Sequence, residues 1–154
     1  MEDCHPGALT KCHTARQRRR MKVIIATDGH AVSTHAIAEA LRLLPLHAAE
    51  VTLVSVLDPE ERIGGNENAA RDLDRAAAQL AAGGVTAATL QRRGHPAEQI
   101  VQAATEIGAD LIVVGASIKG RIARLLVGGV STEVMRRWSG AVLVVQHPAP
   151  LLED

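Results

Sequence analysis

Short apolar runs alternate with helical patterns along most of this chain. Between the apolar runs lie four stretches with apolar residues at spacings of three and four, which give a helix one buried face. Strands that alternate with helices form βαβ units, and these units impose a parallel sheet. The sequence therefore predicts an α/β fold, a single doubly wound five-stranded parallel sheet with helices on both faces. The predicted strands are Lys22 to Thr27, Val51 to Leu57, Val85 to Arg92, Ala109 to Val114 and Ala141 to Gln146.

The predicted helices begin and end at residues that commonly do so. The first is expected to be capped by Ser33 or Thr34, whose hydroxyls can accept from free N–H groups. The third begins at Pro96, because proline suits the first helical position. The other two are predicted over Glu67 to Ala82 and Val130 to Trp138.

One domain of residues 21–147 accounts for this pattern. Residues 1–20 have no apolar periodicity and carry five basic residues against two acidic ones. They are expected to be a disordered basic extension, or to lie upstream of the true start at Met21. Residues 148–154 contain two prolines and are expected to form a C-terminal tail.

Composition argues against several classes of partner. Basic and acidic residues balance at 17 each, and Trp138 is the only aromatic residue, so a nucleic-acid partner is not expected. No apolar run reaches the roughly 18 residues of a membrane span, and no signal peptide is readable, which predicts a cytoplasmic protein without membrane contact. Cys4 and Cys12 lie in the basic extension, and their adjacent histidines lack the spacing of a zinc site.

The stretch GASIKGRIARLLVGGVST, residues 115–132, is the main candidate for a ligand site. In open α/β sheets ligands bind beyond the carboxyl ends of the strands, where the strand order reverses. Asp28 at the end of the first strand and the N–H groups of the last helix would together suit an adenosine phosphate. Lys119 and Arg121 would add positive charge, and Ser131 could donate to phosphate. The alternative is that Asp28 forms a turn, Ser131 only caps the helix and the basic residues are solvated.

From Met21 to Gln146 the chain resembles the universal stress proteins. The resemblance lies in KVIIATDGH, VTLVSVLD, GHPAEQIVQAATEIGADLIVVGAS and RLLVGGVSTEVMRRWSGAVLVV. It implies a Rossmann-like fold of the adenine nucleotide alpha hydrolase type and a role in the stress response. It also implies a homodimer whose subunits pair through the last strand, Ala141 to Gln146.

The nucleotide-binding members of that family carry G-x2-G-x9-G-[ST] after the fourth strand. The resemblance implies ATP or AMP as ligand, with Mg²⁺ if the ligand is ATP. In this sequence it assigns Asp28 and Val56 to the adenosine part and the glycine-rich segment to the phosphates. The implied site residues are Ala26, Asp28, Val56, Val114, Gly115, Gly128, Gly129, Val130 and Ser131.

Two positions depart from the family motif. Ile118 stands at the second glycine, and an isoleucine would strain the backbone if a positive φ were needed there. Gly129 stands at the hydroxyl position and loses one hydrogen bond, about 1 kcal/mol. Two hypotheses follow: weak or altered nucleotide binding, or a protein of the same fold that binds no nucleotide and acts through an unknown protein partner.

An enzyme is not expected from this sequence. No Ser-His-Asp or metal-binding constellation is readable, and Asp28 is the only visible candidate for a general base. The histidines His30, His35, His47 and His95 are interpreted as isolated surface residues.

Overall fold

The computed structural model describes residues 19–59, 65–118 and 129–148. A 3-10 turn at Leu46–Ala48 precedes the second strand. The regular elements, in chain order, are β1 (Lys22–Ala26), α1 (Ala31–Leu43), β2 (Glu50–Leu57), α2 (Gly65–Ala82), β3 (Ala87–Arg93), α3 (Pro96–Ile107), β4 (Leu111–Ile118), α4 (Gly129–Arg137) and β5 (Ala141–Pro148).

The five strands form one sheet in the order β3-β2-β1-β4-β5, and every neighbouring pair is parallel. The chain moves outward from β1 to β3 and then returns to the other side of β1 for β4 and β5. The strand order therefore reverses between β1 and β4, which confirms the predicted doubly wound architecture. In open α/β sheets such a reversal is where ligands commonly bind.

Two apolar cores lie on opposite faces of the sheet. The first joins α1 and α2 to the sheet, with Ile37 and Leu80 among its buried residues. The second joins α3 and α4 to the opposite face, with Ile100 and Val134 buried and Trp138 packed at its margin. Burial on both faces explains why β1 and β4 are almost continuously apolar rather than alternating.

The fourth strand is longer than the sequence predicted. The expectation was a strand that ended at Val114 with a loop from Gly115, but β4 continues to Ile118. The reason is its partner: β5 pairs with β4 from Leu111 with Ala141 through Ile118 with Pro148. Since β1 pairs with β4 only as far as Val113, the ends of β4 and β5 project beyond β1.

The expected cap of the first helix was also wrong. Helix α1 begins at Ala31, and its N-cap residue His30 makes no side-chain capping bond. Ser33 and Thr34 therefore lie inside the first turn, where both hydroxyl oxygens lie within hydrogen-bond distance of the carbonyl of His30. At the start of this helix it is the side chain of Asp28 that accepts hydrogen bonds, as described below.

The described part of the domain begins just before β1. Arg19 donates to the carboxylate of Asp110 at 3.2 Å, and the other oxygen of Asp110 accepts from the N–H of Lys22. Residues 1–18 of the predicted basic extension lie outside the described residues. In the described ranges, no helix is both long and apolar enough to cross a membrane.

Candidate functional site

Asp28 lies immediately beyond the end of β1, at the point where the strand order reverses. Its Oδ1 accepts a hydrogen bond from the N–H of His30 at 2.9 Å and one from the hydroxyl of Ser33 at 2.8 Å. Asp28 itself is exposed, whereas Ser33 is only 4% exposed. An exposed carboxylate is thus held from beneath by a buried hydroxyl.

Thr27 extends this network into the protein. Its hydroxyl donates to the oxygen of Ser33 at 3.3 Å, and its backbone N–H donates to the carbonyl of Val54 in β2. Ser33 was expected only to cap α1, and the hydroxyl-rich segment TDGHAVST was the one sequence signal of its contact with Asp28. The turn and the ligand interpretations of Asp28 are compatible, because one carboxylate oxygen makes the turn.

Gly29 brings this turn against α2. Its φ is 79°, and a Cβ built on it would overlap the carboxylate of Asp72. A groove of about 470 Å³ opens here between α1 and α2. Its lining includes Thr27, Asp72 and Arg75, so hydroxyl, carboxylate and guanidinium groups all border the space beside Asp28.

Gly115 has a packing role on the same face of the sheet. A Cβ on this residue would lie 2.7 Å from Cγ1 of Val32 and 2.9 Å from its carbonyl oxygen. Glycine therefore allows the first turn of α1 to lie directly on β4. This close approach sets the distance between the Asp28 turn and the projecting end of β4.

Three predicted site residues lie on the opposite face. Val114 is 2% exposed in the core beneath α3 and α4, and Ala26 and Val56 pack against that core. The structure therefore places these three on the sheet face that α3 and α4 cover, while Gly115 abuts α1. The candidate site straddles the carboxyl edge of the sheet, with Asp28 between the two faces.

The segment expected to bind phosphate is described from the start of α4. Gly129 and Val130 form its exposed first residues, and Ser131 is buried at 2% exposure. A Cβ on Gly129 would meet no atom within 4 Å. Gly128, like Lys119 and Arg121, lies outside the described residues.

Ile118 is the last residue of β4 and pairs with Pro148. Among the described residues, no amino acid other than glycine has a positive φ. The isoleucine at the second motif position therefore stands in extended backbone, which suits a β-branched residue. The strain considered from the sequence does not arise at this residue.

Two of the histidines interpreted as isolated have neighbours. Nε2 of His95, which precedes α3, lies 3.5 Å from a carboxylate oxygen of Glu133 in the second turn of α4. The rings of His35 and His147 meet edge to face, with centroids 5.1 Å apart, and connect α1 to β5. Both contacts join residues that are remote in sequence, so no local sequence pattern predicted them.

In the part of the chain that the structure describes, no three His, Cys, Asp or Glu side chains are grouped as metal ligands. The chemistry on offer is polar recognition. The fixed carboxylate of Asp28 lies at the end of β1. The exposed first residues of α4 follow β4 in the chain. Helix starts present free N–H groups and partial positive charge, which favour anions.

Comparison with known proteins agrees with this architecture. Residues 19–146 match the family model described as the universal stress protein family. A universal stress protein of Methanocaldococcus jannaschii is 31% identical over 140 residues, which cover 82% of this chain and 82% of that protein.

Solved structures share the fold. A universal stress protein in complex with cAMP has a TM-score of 0.65 and 27% identity, over 81% of this chain and 95% of that one. An Arabidopsis thaliana member with AMP bound has a TM-score of 0.69 at 18% identity, over 87% and 96% of the two chains. With its fold, its site geometry and the family match over residues 19–146, this chain belongs to the universal stress protein family.

Proposed function

We propose that this protein is a cytoplasmic, homodimeric stress-response protein that binds an adenine nucleotide, ATP or AMP, weakly or in an altered mode. The observation that carries the proposal is Asp28, a carboxylate fixed at the switch between β1 and β4. The related structure that contains cAMP supports an adenine nucleotide as the class of ligand.

The arrangement divides the proposed ligand into two parts. The free edge of the Asp28 carboxylate would accept from a donor group of the nucleoside, with Val56 and Ala26 beside it on the α4 side. The phosphate would lie at Gly128, Gly129 and Val130, where the first N–H groups of α4 have no helical carbonyl to bind. Ser131 is interpreted here as a support of that turn, since it is buried.

The two motif departures affect only the phosphate part. Gly129 retains its N–H and lacks a hydroxyl, and Ile118 continues β4 where the family motif has glycine. The change at Gly129 removes one hydroxyl that could bind phosphate, and both changes leave the residues of the Asp28 turn intact. This asymmetry supports a weaker grip on phosphate rather than complete loss of binding.

Mg²⁺ would arrive with ATP rather than occupy a protein cage. This ion usually retains waters and is shared between one or two carboxylates and substrate phosphates. Catalysis is not part of the proposal, which is one of ligand binding. The protein is proposed to signal or assemble through its bound state.

Calorimetric titration of the full chain with AMP and with Mg-ATP tests this proposal. Asp28→Ala should weaken binding at least fivefold, and Asp74→Ala, an exposed carboxylate of α2, should leave it unchanged. Equal affinity in wild type and Asp28→Ala would move the ligand elsewhere. No binding by the wild type would reject nucleotide recognition.

The proposed dimer rests on β5. This strand lies at the edge of the sheet with the run Ala141 to Gln146, and an apolar edge strand invites pairing with another strand. Sedimentation should give twice the 16.3 kDa mass of one chain. Val144→Lys should lower the association constant, whereas a monomeric wild type would reject the pairing.

The second candidate function is an interaction protein of this fold without nucleotide. The motif departures at Ile118 and Gly129 favour it. In that case nucleotide should not change the melting temperature, and the functional surface should be found by capture of a protein partner. The titration described above decides between the two.

A further inference from the structure

Ser33 occupies the centre of a small hydrogen-bond network beneath the candidate site. Its hydroxyl oxygen lies 2.8 Å from Oδ1 of Asp28 and 3.0 Å from the carbonyl oxygen of His30. The Thr27 hydroxyl donates to it at 3.3 Å. Thr27 and Ser33 are 6% and 4% exposed, so both hydroxyls are shielded from competing water.

A serine hydroxyl has one proton and must divide it between its two acceptors. The carboxylate is both closer and charged, and hydrogen bonds to charged groups are the stronger ones. Donation to Asp28 is therefore favoured over donation to the His30 carbonyl. Thr27 reinforces this direction, because it donates to the same oxygen and leaves the Ser33 proton to point outward.

The network uses one oxygen of the carboxylate. Oδ1 accepts from Ser33 and from the His30 N–H, and no described residue bonds Oδ2. Two donors on one oxygen fix the rotation of the carboxylate plane. An ordered Oδ2 presents acceptor lone pairs only, so the ligand group that meets it must be a donor such as a hydroxyl or an amine.

We propose that Ser33 is a positioning residue, which acts through Asp28 to hold Oδ2 toward a hydrogen-bond donor on the nucleoside part of the ligand. This inference rests on the proposed nucleotide binding. Its physical basis is preorganisation, because a side chain already fixed in its bound orientation loses less freedom on binding. Ser33 itself need not touch the ligand.

The test is a double-mutant cycle in nucleotide affinity. Ser33→Ala should weaken AMP binding by about fivefold, the equivalent of one ordinary hydrogen bond. The same substitution in an Asp28→Ala background should change affinity by less than about 1.5-fold, because its route to the ligand is gone. Thr105→Ala is the matched control and should leave affinity unchanged, since its exposed hydroxyl donates to the carbonyl of Val101 within α3, away from the site.

The cycle separates positioning from general structural damage. A purely structural serine would weaken binding in both backgrounds, and that result would overturn the proposal. Ser33→Ala with wild-type affinity would overturn it as well. Melting temperatures of all variants show that each is folded at the titration temperature.

A second variant covers the case in which Asp28→Ala binds too weakly to titrate. Ser33→Cys keeps nearly the same shape but donates weakly, so it should lose affinity as Ser33→Ala does. Wild-type affinity in Ser33→Cys would show that the hydroxyl is not needed. A wild-type protein that binds no nucleotide would reject the proposed function itself, which is a distinct outcome from a silent Ser33.

Discussion

The carboxylate of Asp72 in α2 lies directly against the α-carbon of Gly29 in the turn after β1. This contact leaves no room for a side chain and joins the second helix to the turn that carries Asp28. The backbone of Gly29 also has a φ of 79°, which other L-residues adopt with strain. Two independent constraints therefore require glycine at this position.

Gly29→Ala should destabilise the protein by more than the strain alone. The left-handed backbone costs about 1–2 kcal/mol for a residue with a Cβ, and displacing the flexible Asp72 side chain from its rotamer adds about 0.5–1.5 kcal/mol. Urea unfolding of the variant and the wild type measures the sum.

Gly84 provides the matched control for Gly29. Its φ is 80°, and a Cβ there would meet nothing within 4 Å. Gly84→Ala should therefore lose unfolding free energy through backbone strain alone. The double variant Gly29→Ala with Asp72→Ala should lose about as much unfolding free energy as Gly84→Ala. Equal losses for the two single glycine variants would show that Asp72 yields freely.

Gly115→Ala should separate α1 from β4. The added methyl group would lie 2.7 Å from a Val32 methyl carbon and 2.9 Å from the Val32 carbonyl oxygen, and backbone cannot move as easily as a side-chain tip. We expect a loss of about 1–3 kcal/mol in unfolding free energy. Gly129→Ala, where the Cβ has open space, should stay within about 0.5 kcal/mol of wild type.

Gly129→Ser should strengthen nucleotide binding. The substitution restores the hydroxyl of the family motif at the first residue of α4, where a Cβ meets no atom within 4 Å. One added hydrogen bond of about 1 kcal/mol corresponds to roughly fivefold tighter binding. Titration with AMP beside Gly129→Ala measures the gain, and equal affinity of the two variants would show that the hydroxyl does not reach the phosphate.

The Arg92–Glu106 ion pair, which joins β3 to α3, should shape the acid side of the stability curve. The hydrogen bond from Arg92 lowers the pKa of Glu106 below 4.5. A carboxyl with a lowered folded-state pKa stabilises above its unfolded value, and this contribution disappears as pH falls through the folded-state pKa. The window is therefore below about pH 4.5.

Melting temperatures between about pH 5 and pH 3 measure this contribution. Over this range the melting temperature of Glu106→Gln should fall less than that of the wild type, although the difference is small because Glu106 is exposed to solvent. Glu98→Gln on the same helix is the control and should follow the wild type. If the melting temperature of Glu106→Gln depends on pH as steeply as that of the wild type, the ion pair contributes nothing to acid stability.

Local pattern was enough for the architecture. The alternation of apolar runs and helical faces placed five strands and four helices within a few residues of their positions, since each element shows its buried face in its own periodicity. Val134 and Trp138 face the core as predicted. The reversal of strand order also followed, because crossover connections allow few topologies.

Local pattern was not enough for lengths and caps. β4 extends to Ile118 because β5 pairs with it over its whole length. The residues of β4 alone do not predict this length, since the partner strand lies 30 positions later in the chain. Ser33 was predicted to cap α1 because serine is a common N-cap residue. Its real partner depends on the direction in which the Asp28 turn points.

The sequence by itself determined the fold class, the family and the identity of the candidate site residues, because these depend on residue type and order along the chain. Only the tertiary structure decided which oxygen of Asp28 is engaged, that Asp72 closes on Gly29, that Val32 rests on Gly115 and that His95 lies beside Glu133. These contacts join elements remote in sequence. They follow from how two helices pack on each face of a twisted sheet, and that packing is a property of the whole core.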